Sequence, residues 1–453
     1  MIIIEGAWVI GPDMGLIPKS SVVCNNSVIE NILPWDEAPK EYPLATVHSR
    51  RDSVISPGFI NAHMHLYGVL AHGIEPPLPI TSFQSFLEDY WWPLVENLID
   101  PDMIQAAVSY SANELIASGV TTVCDVLEAP LAGYEGLAAE AEVMDDFGLR
   151  AVLSTEACER MGTDIGLKLL EANEKLIQQY ADNPRISGFL CTHTAFTCSK
   201  QFMKTAKQKA EDVKVSLQFH LNESSYEPAW CLEHYGTRTC HWYKSFGLLD
   251  KHILAAQGVQ LDAEEIDILA EAKTRLVHVP LSNCEVGGGI SPVPDLLANG
   301  ICCGLGTDGY INNFFEVMRA AFLIHKGHRC DSTVMSARTV YKMATQDGAD
   351  ALFPDQGQGR IIKGAHADLI TITLSQLPTP VTESNIFDQL ILFCNPKQVC
   401  DVLVEGKFIK KGYESITSDG EFLRKRVKEE AKRLWEAGRE LSFKNKGGAG
   451  GTI

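Results

Sequence analysis

The sequence predicts an α/β protein built on a closed (β/α)8 barrel of the TIM type, with a small β-sandwich domain formed from both chain ends. Three observations lead there. Between residue 58 and about residue 350, eight short apolar runs alternate with longer stretches of helical period, as buried parallel strands each followed by a helix would read. The flanking regions, up to residue 57 and onward from residue 359, read as short strands broken by turn residues. Finally, His63-Met64-His65 leaves the end of the first apolar run, where such a barrel carries its functional side chains.

Taken in order, residues 2–4, 7–10, 22–23 and 28–29 are apolar and separated by Gly, Pro, Asn and Asp, with no helical period among them. The barrel, 58–358, draws its strands from the run ending at His63 and from 119–124, 151–154, 186–190, 215–221, 253–256, 275–279 and 301–305. Helical spacing of apolar residues falls between them, at 101–118, 137–147, 165–181, 200–212, 263–273 and 315–325. Strand character returns at 367–372, 389–392 and 402–409, with Glu405-Gly406 as a hairpin turn. Residues 1–57 and 359–415 therefore form the expected composite sandwich. The remainder, 416–453, reads as a charged helix over 422–441 and a flexible Gly-rich tail from Lys444.

Composition narrows the function classes. The 453 residues are 45% hydrophobic and 21% charged, with net charge −19 and pI near 5.1. Such a surface is not drawn to nucleic acid or to an anionic membrane. No apolar stretch approaches the ~18 residues that span a bilayer. The start, Met-Ile-Ile-Ile-Glu, lacks a basic leader segment. The thirteen cysteines show no Cys-x-x-Cys and one adjacent pair, Cys302-Cys303. An odd count without a disulfide-type spacing fits a reducing cytoplasm.

Strand ends supply the chemistry. Side chains at i and i+2 of a strand point the same way, so His63 and His65 form half of a metal site. The fifth strand ends in His220 and the eighth in Asp308. Three imidazoles and a carboxylate suit one Zn²⁺-like ion with a position left for water. Such an ion lowers the pKa of water from 15.7 to about 7. Glu223, three residues beyond His220, is placed to take a proton from that water and pass it to a leaving group.

These residues also carry a resemblance that covers nearly the whole chain. Pro57-Gly58-Phe59-Ile60-Asn61-Ala62-His63-Met64-His65, Ala117-Ser118-Gly119-Val120-Thr121-Thr122, His220-Leu221-Asn222-Glu223, His278-Val279-Pro280-Leu281-Ser282-Asn283, Gly289-Ile290-Ser291-Pro292-Val293 and Gly304-Leu305-Gly306-Thr307-Asp308-Gly309 resemble the amidohydrolase superfamily. Within it they are most similar to the branch of S-adenosylhomocysteine and methylthioadenosine deaminases, triazine chlorohydrolases and guanine-type deaminases. Lys363-Gly364-Ala365-His366-Ala367-Asp368-Leu369 is similar to the return segment into that family's small domain. The resemblance implies one divalent metal per chain, zinc or iron, held by His63, His65, His220 and Asp308. It implies Glu223 as proton shuttle, a share for Asp308 in proton transfer, and substrate contacts from His193 and Asn283. A homo-oligomer, dimer or tetramer, is the expected assembly.

One position departs from the family pattern. Gln257, after the sixth strand, stands where a histidine is expected. An amide can donate a hydrogen bond to the attacking water or the oxyanion but does not titrate near neutral pH. The segment 67–99 contains no Lys or Arg and holds Phe83, Phe86, Tyr90, Trp91 and Trp92. Several of these share a helix face, with Trp92 as an expected substrate contact. Such a wall suits a flat neutral or cationic ring and offers no clamp for phosphate or a free carboxylate.

The leading expectation is hydrolytic removal of an exocyclic amino group from a purine, pterin, pyrimidine or triazine ring. The alternatives are loss of chloride or an alkylamine from such a ring, and a catalytically silent barrel because of Gln257. A two-metal amide hydrolase would need a bridging lysine at the end of strand four, where the chain reads Leu190-Cys191-Thr192-His193.

Overall fold

The computed structural model describes residues 1–76, 79–309, 311–354, 356–416 and 419–448. Eight staves form the barrel: Phe59–Met64, Val120–Leu127, Arg150–Thr155, Ile186–Gly188 continued by Leu190–Cys191, Leu217–Leu221, Ile253–Gln257, Arg275–His278 and Cys303–Leu305. Neighbours pair in parallel, and the eighth strand returns to the first through Leu305 opposite Asn61. The fourth stave is interrupted at Phe189, whose amide donates to the Leu153 carbonyl on the third strand (3.3 Å), while the Leu190 amide donates to Ser216 before the fifth (3.1 Å). The stave thus changes partner between two adjacent residues, Phe189 bonding the third strand and Leu190 the segment before the fifth.

Every barrel strand is buried along its length except at Ser187, which explains the continuous apolar runs. Ile60, Ala62, Cys124, Val152, Leu254 and Val277 meet in a compact cluster that is separate from the main core between barrel and helices. That cluster fills the barrel below the catalytic end.

Both chain ends enter a second, mixed sheet. The strand Leu369–Thr373 runs antiparallel to Thr46–Pro57, with Ile370 opposite Ser56. Thr46–Pro57 in turn lies parallel to Ile2–Ile10. The expected sandwich is one continuous eight-stranded sheet that curls on itself. Its outermost N-terminal strand, Val28–Pro34, is tied back to the segment before Leu369 by Ile29 N–H to Ala365 O and Gly364 N–H to Ile29 O, both 2.8 Å. Ile4, Val22, Ile29, Ile55, Leu369 and Leu403 fill the fold so formed.

Two local expectations are corrected. Residues 389–392, read as a strand, lie in the helix Ile386–Leu392. Its buried Ile386, Phe387, Leu390 and Ile391 recur at i, i+1, i+4 and i+5, a helical period that a four-residue apolar run cannot reveal. The C-terminal helix runs Gly420–Gly448, past residue 441 and through the start of the expected flexible tail; residues 449–453 lie outside those described. This helix braces the loop after His63 and His65, since Trp435 Nε1 donates to Leu70 O at 2.7 Å. Among the described residues, no helix is long and apolar enough to cross a membrane.

Asp401 fastens the sheet. It accepts both arms of the Arg50 guanidinium (2.6 and 2.9 Å), the Thr371 hydroxyl (2.7 Å) and the Gly412 amide (2.9 Å). Burial alone would raise its pKa, but these donors hold it below the ordinary carboxylate range. Asp401→Ala is expected to cost about 2–3 kcal/mol, the range for a hydrogen-bonded charge left without its partner, read as a lower urea midpoint. Because the folded-state pKa is depressed, this stabilisation is present above the unfolded value of about 3.9 and fades as pH falls toward the folded one. The gap between wild type and variant should therefore narrow below about pH 4.

Candidate metal centre

The catalytic end of the barrel gathers what the strand ends supply. His63 and His65 leave the first strand, His220 the fifth, and Asp308 follows the eighth. One ligand atom from each of the four lies within 4.8 Å of the other three, and all four residues are buried. Asp308 Oδ1 is 2.9 Å from His65 Nε2 and 3.5 Å from His63 Nε2, while the Nε2 atoms of His65 and His220 face each other at 3.4 Å.

The backbone sets these directions at some strain. Asn222, Gln257 and Asp308, each at or just past a strand end, have φ of 48°, 79° and 59°, a region L-residues with side chains visit rarely. The outer ring nitrogens of His65 and His220 each face an acceptor. His65 Nδ1 donates to Val126 O at 2.8 Å, and His220 Nδ1 lies 3.4 Å from Glu156 Oε2. Such outer partners fix which nitrogen faces a metal.

This set fits a divalent cation. His63 Nε2 is buried without a hydrogen-bond partner, and three imidazole nitrogens with one carboxylate oxygen are a preferred donor set for zinc. The electrostatics agree. Burial, aided by the neighbouring His220 and His65 and resisted by Asp308, pulls the His63 pKa to about 4. Burial also acts to lower His65, yet Glu128 and Asp308 carry it well above the ordinary range. Burial opposes the ionised form of Asp308, yet the two histidines hold its pKa well below that of a free carboxylate. The centre thus favours positive charge at its middle. Glu156, His193 and His220 form a second close group; it shares His220, and Glu156 faces that ring's outer nitrogen.

A cavity over the centre is lined by His65, His193, His220, Glu223, Gln257 and Asp308, with an aromatic wall of Phe83, Phe86 and Trp91. It adjoins a cleft of about 1250 Å³. Glu223 is half-buried there; burial first, then the charges of Asp308 and Glu128, raise its pKa well above the carboxylate range. His193 is buried, with Nδ1 2.8 Å from the Thr197 hydroxyl, and burial together with His220 and Arg160 keeps it neutral by lowering its pKa. Gln257 Nε2 donates to Asp308 Oδ2 at 3.0 Å, so the amide expected to face the reaction is bound to a metal-ligand candidate.

Two expected substrate contacts lie elsewhere. Trp92 sits edge-on to His193 (6.1 Å) beneath the Arg160 guanidinium (5.2 Å) and borders a separate surface pocket. Trp91 is the tryptophan in the cavity wall, because Phe86–Glu96 winds as a π-helix with Pro93 inside it, which rotates residues away from α-helical spacing. Asn283 is 1% exposed with neither side-chain polar atom bonded, and its carbonyl accepts from Gly288 and Gly289. It shapes a loop whose Ser282 and Val286 reach the cavity.

Sequence reasoning missed the acidic layer behind the imidazoles. Glu96, Glu128 and Glu156 are buried; Arg160 pairs with Glu96, and the Tyr67 hydroxyl donates to Glu128. Glu128 and Glu156 directly follow the second and third strands. The strand-end rule that located His220 would have located them too.

Comparison with known proteins agrees with this geometry. Residues 54–409 match the amidohydrolase family. The chain is 32% identical over 422 residues to a 5-methylthioadenosine/S-adenosylhomocysteine deaminase of Thermococcus sibiricus, covering 90% of this chain and 93% of that one. Among solved structures, an adenosine deaminase from Xanthomonas campestris with bound zinc superposes with TM-score 0.86 at 25% identity, over 96% of this chain and 98% of the other. An atrazine chlorohydrolase from Arthrobacter aurescens, complexed with zinc, shares the fold with TM-score 0.83 at 21% identity, over 95% and 100%. By its sequence and its (β/α)8 architecture, the chain belongs to the amidohydrolase family and is a hydrolase acting on carbon–nitrogen bonds.

Proposed function

We propose that this chain is a metal-dependent deaminase that hydrolyses an exocyclic amino group from an aromatic nitrogen heterocycle of purine, pterin, pyrimidine or triazine type. The observation that carries the reading is the meeting of His63, His65, His220 and Asp308 within 4.8 Å in one cavity with Glu223. The deaminase relatives support the reaction type. Those four residues would hold one ion, with zinc favoured by the donor set and by the zinc-bearing neighbours. A bound divalent ion supplies Lewis acidity and makes hydroxide available at neutral pH.

The chain's own groups do the rest. A water oxygen adds to the ring carbon bearing the amino group, and Glu223 takes the proton that this water gives up. Its raised pKa suits it both to hold that proton and to pass it on. Delivered to the leaving nitrogen, the proton lets the carbon–nitrogen bond break, so that ammonia departs. The ring keeps the oxygen as a hydroxyl, which becomes a carbonyl as its proton passes to a ring nitrogen. His193, neutral and buried, faces the ring. Trp92 and Asn283 support it from behind, through His193 and through the loop over 283–289. The aromatic side chains of Phe83, Phe86 and Trp91 border both the cavity and the larger cleft, so the ring enters past them. We further propose a cytoplasmic homo-oligomer, a reading supported by thirteen unpaired cysteines and by the family resemblance. We also propose that 1–57 with 359–415 form one domain and 58–358 the other.

Three outcomes test this. Ammonia release should appear when purified protein is screened across amino-purines, pterins, pyrimidines and triazines; silence across all four ring classes would refute the reaction. Elemental analysis should find one divalent ion per chain, lost in His65→Ala and in Asp308→Ala, whereas two ions per chain would rule out a mononuclear centre. Glu223→Gln should keep the metal and the fold but lower kcat by about 10²–10⁴-fold, and unaltered turnover would remove Glu223 from the mechanism.

A further inference from the structure

The orientation of the Gln257 amide is chemically forced. Its Nε2 lies 3.0 Å from Asp308 Oδ2, and an ionised carboxylate only accepts hydrogen bonds. The NH2 group must therefore face Asp308, and the carbonyl Oε1 must face the other way. That Oε1 is buried and has no hydrogen-bond partner, on a side chain 0% exposed to solvent, while Gln257 lines the cavity over the metal centre. Asp308 meanwhile turns its other oxygen to His65 and His63. The side chain that carries this unpaired carbonyl thus lines the same cavity as Glu223 and His193.

No hydrogen bond from the surroundings reaches it. Among the described residues, the cavity lining contains Glu96, Glu128, Glu223 and Asp308 and no Lys or Arg. A buried acceptor left bare is costly, and a site built to accept from a ligand N–H rejects an analogue lacking that hydrogen. A leaving amino group carries N–H; chlorine and an ether oxygen carry only lone pairs. We propose that Gln257 Oε1 accepts a hydrogen bond from the nitrogen that leaves, holding it beside Asp308 and selecting amine over halide or alkoxide. This rests on the deaminase reading and deepens it by assigning leaving-group choice to one residue. The nitrogen keeps its hydrogens throughout, gains the proton carried by Glu223, and departs as ammonia when the carbon–nitrogen bond breaks.

The test uses metal-replete full-length protein and ring pairs identical except for –NH2, –Cl or –OCH3, drawn from the purine, pyrimidine and triazine series. Ammonia, chloride and methanol release give kcat/KM for each. Gln257→Met should lower the amino value by roughly 10²–10³-fold, the loss seen for one buried hydrogen-bonding group in an active site, and should shift the amino-to-chloro ratio by at least about tenfold. An equal fall for every leaving group would mean that Gln257 acts only by positioning Asp308, and would overturn the proposal. Calorimetric binding of the same pairs to Glu223→Gln protein, with and without Gln257→Met, provides a readout that needs no turnover. There the methionine variant should weaken amino rings at least about tenfold and leave chloro rings unchanged; equal effects on both, or no binding of any amino ring, would overturn it. Absence of ammonia release with donor-selective binding would instead fault the deaminase reading alone.

Discussion

The seam at which the first and eighth strands close the barrel governs this molecule. Their regular pairing amounts to one residue pair, Leu305 with Asn61, plus a bridge from Met64 to Asp308. Side chain and backbone complete what the ladder lacks. Asn61 donates to the Thr307 hydroxyl (2.8 Å) and accepts from the Thr307 amide (3.0 Å), and the Asp308 amide reaches His63 O at 3.2 Å. The His65 amide answers with a bond to Asp308 O (3.3 Å). Ring closure and ligand placement are therefore one set of contacts. Just beyond, a Cβ at Gly68 would lie 1.5 Å from Gly309 O, so only glycine lets the two loops meet over the seam.

Behind that seam lies a belt of carboxylates that explains why it demands a cation. Glu128 and Glu156 stand against the outer nitrogens of His65 and His220, each at 3.4 Å. Asp125 accepts from the Leu66 amide at 2.6 Å, fixing the backbone next to His65. Burial first, and then neighbouring charge, raise Glu96 and Glu156 well above the carboxylate range. Arg160, paired with Glu96, answers only one side of the belt. So much buried negative charge is costly without compensation, and a dication among the imidazoles is the compensation the geometry invites.

Much of this was legible from strand ends, because a parallel barrel converts sequence position into spatial position. His63, His65, His220, Glu223 and Asp308 each follow an apolar run and converge as that rule requires. The rule extends to Glu128 and Glu156, but without the fold in view a carboxylate after a strand reads as solvated surface. Periodicity failed where local geometry departs from its two standard values. The π-helical turn exchanges the roles of Trp91 and Trp92, the fourth strand breaks at Phe189, and the short apolar run at 389–392 coils. What Gln257 bonds to could not be read at all, since it depends on a contact with a residue 51 positions away.

Chemistry and selectivity are thus carried by different parts of the chain. The seam and the belt are built from strand ends that double as structural closure, so substitution there puts the barrel itself at stake. The aromatic wall comes from 66–99, held from outside by Trp91 bonding to Tyr67 (3.1 Å) and by Trp435 bonding to Leu70 O. That wall offers rings to stack on and, in the described lining of both cavity and cleft, no lysine or arginine. A phosphate or free carboxylate on the substrate would meet acidic groups without a cationic clamp. The same lining suits a flat ring that brings N–H donors, to which the acceptors at Glu223, Glu128 and Gln257 are complementary. On the proposed reading, choice of ring would follow from this lining and choice of leaving group from Gln257.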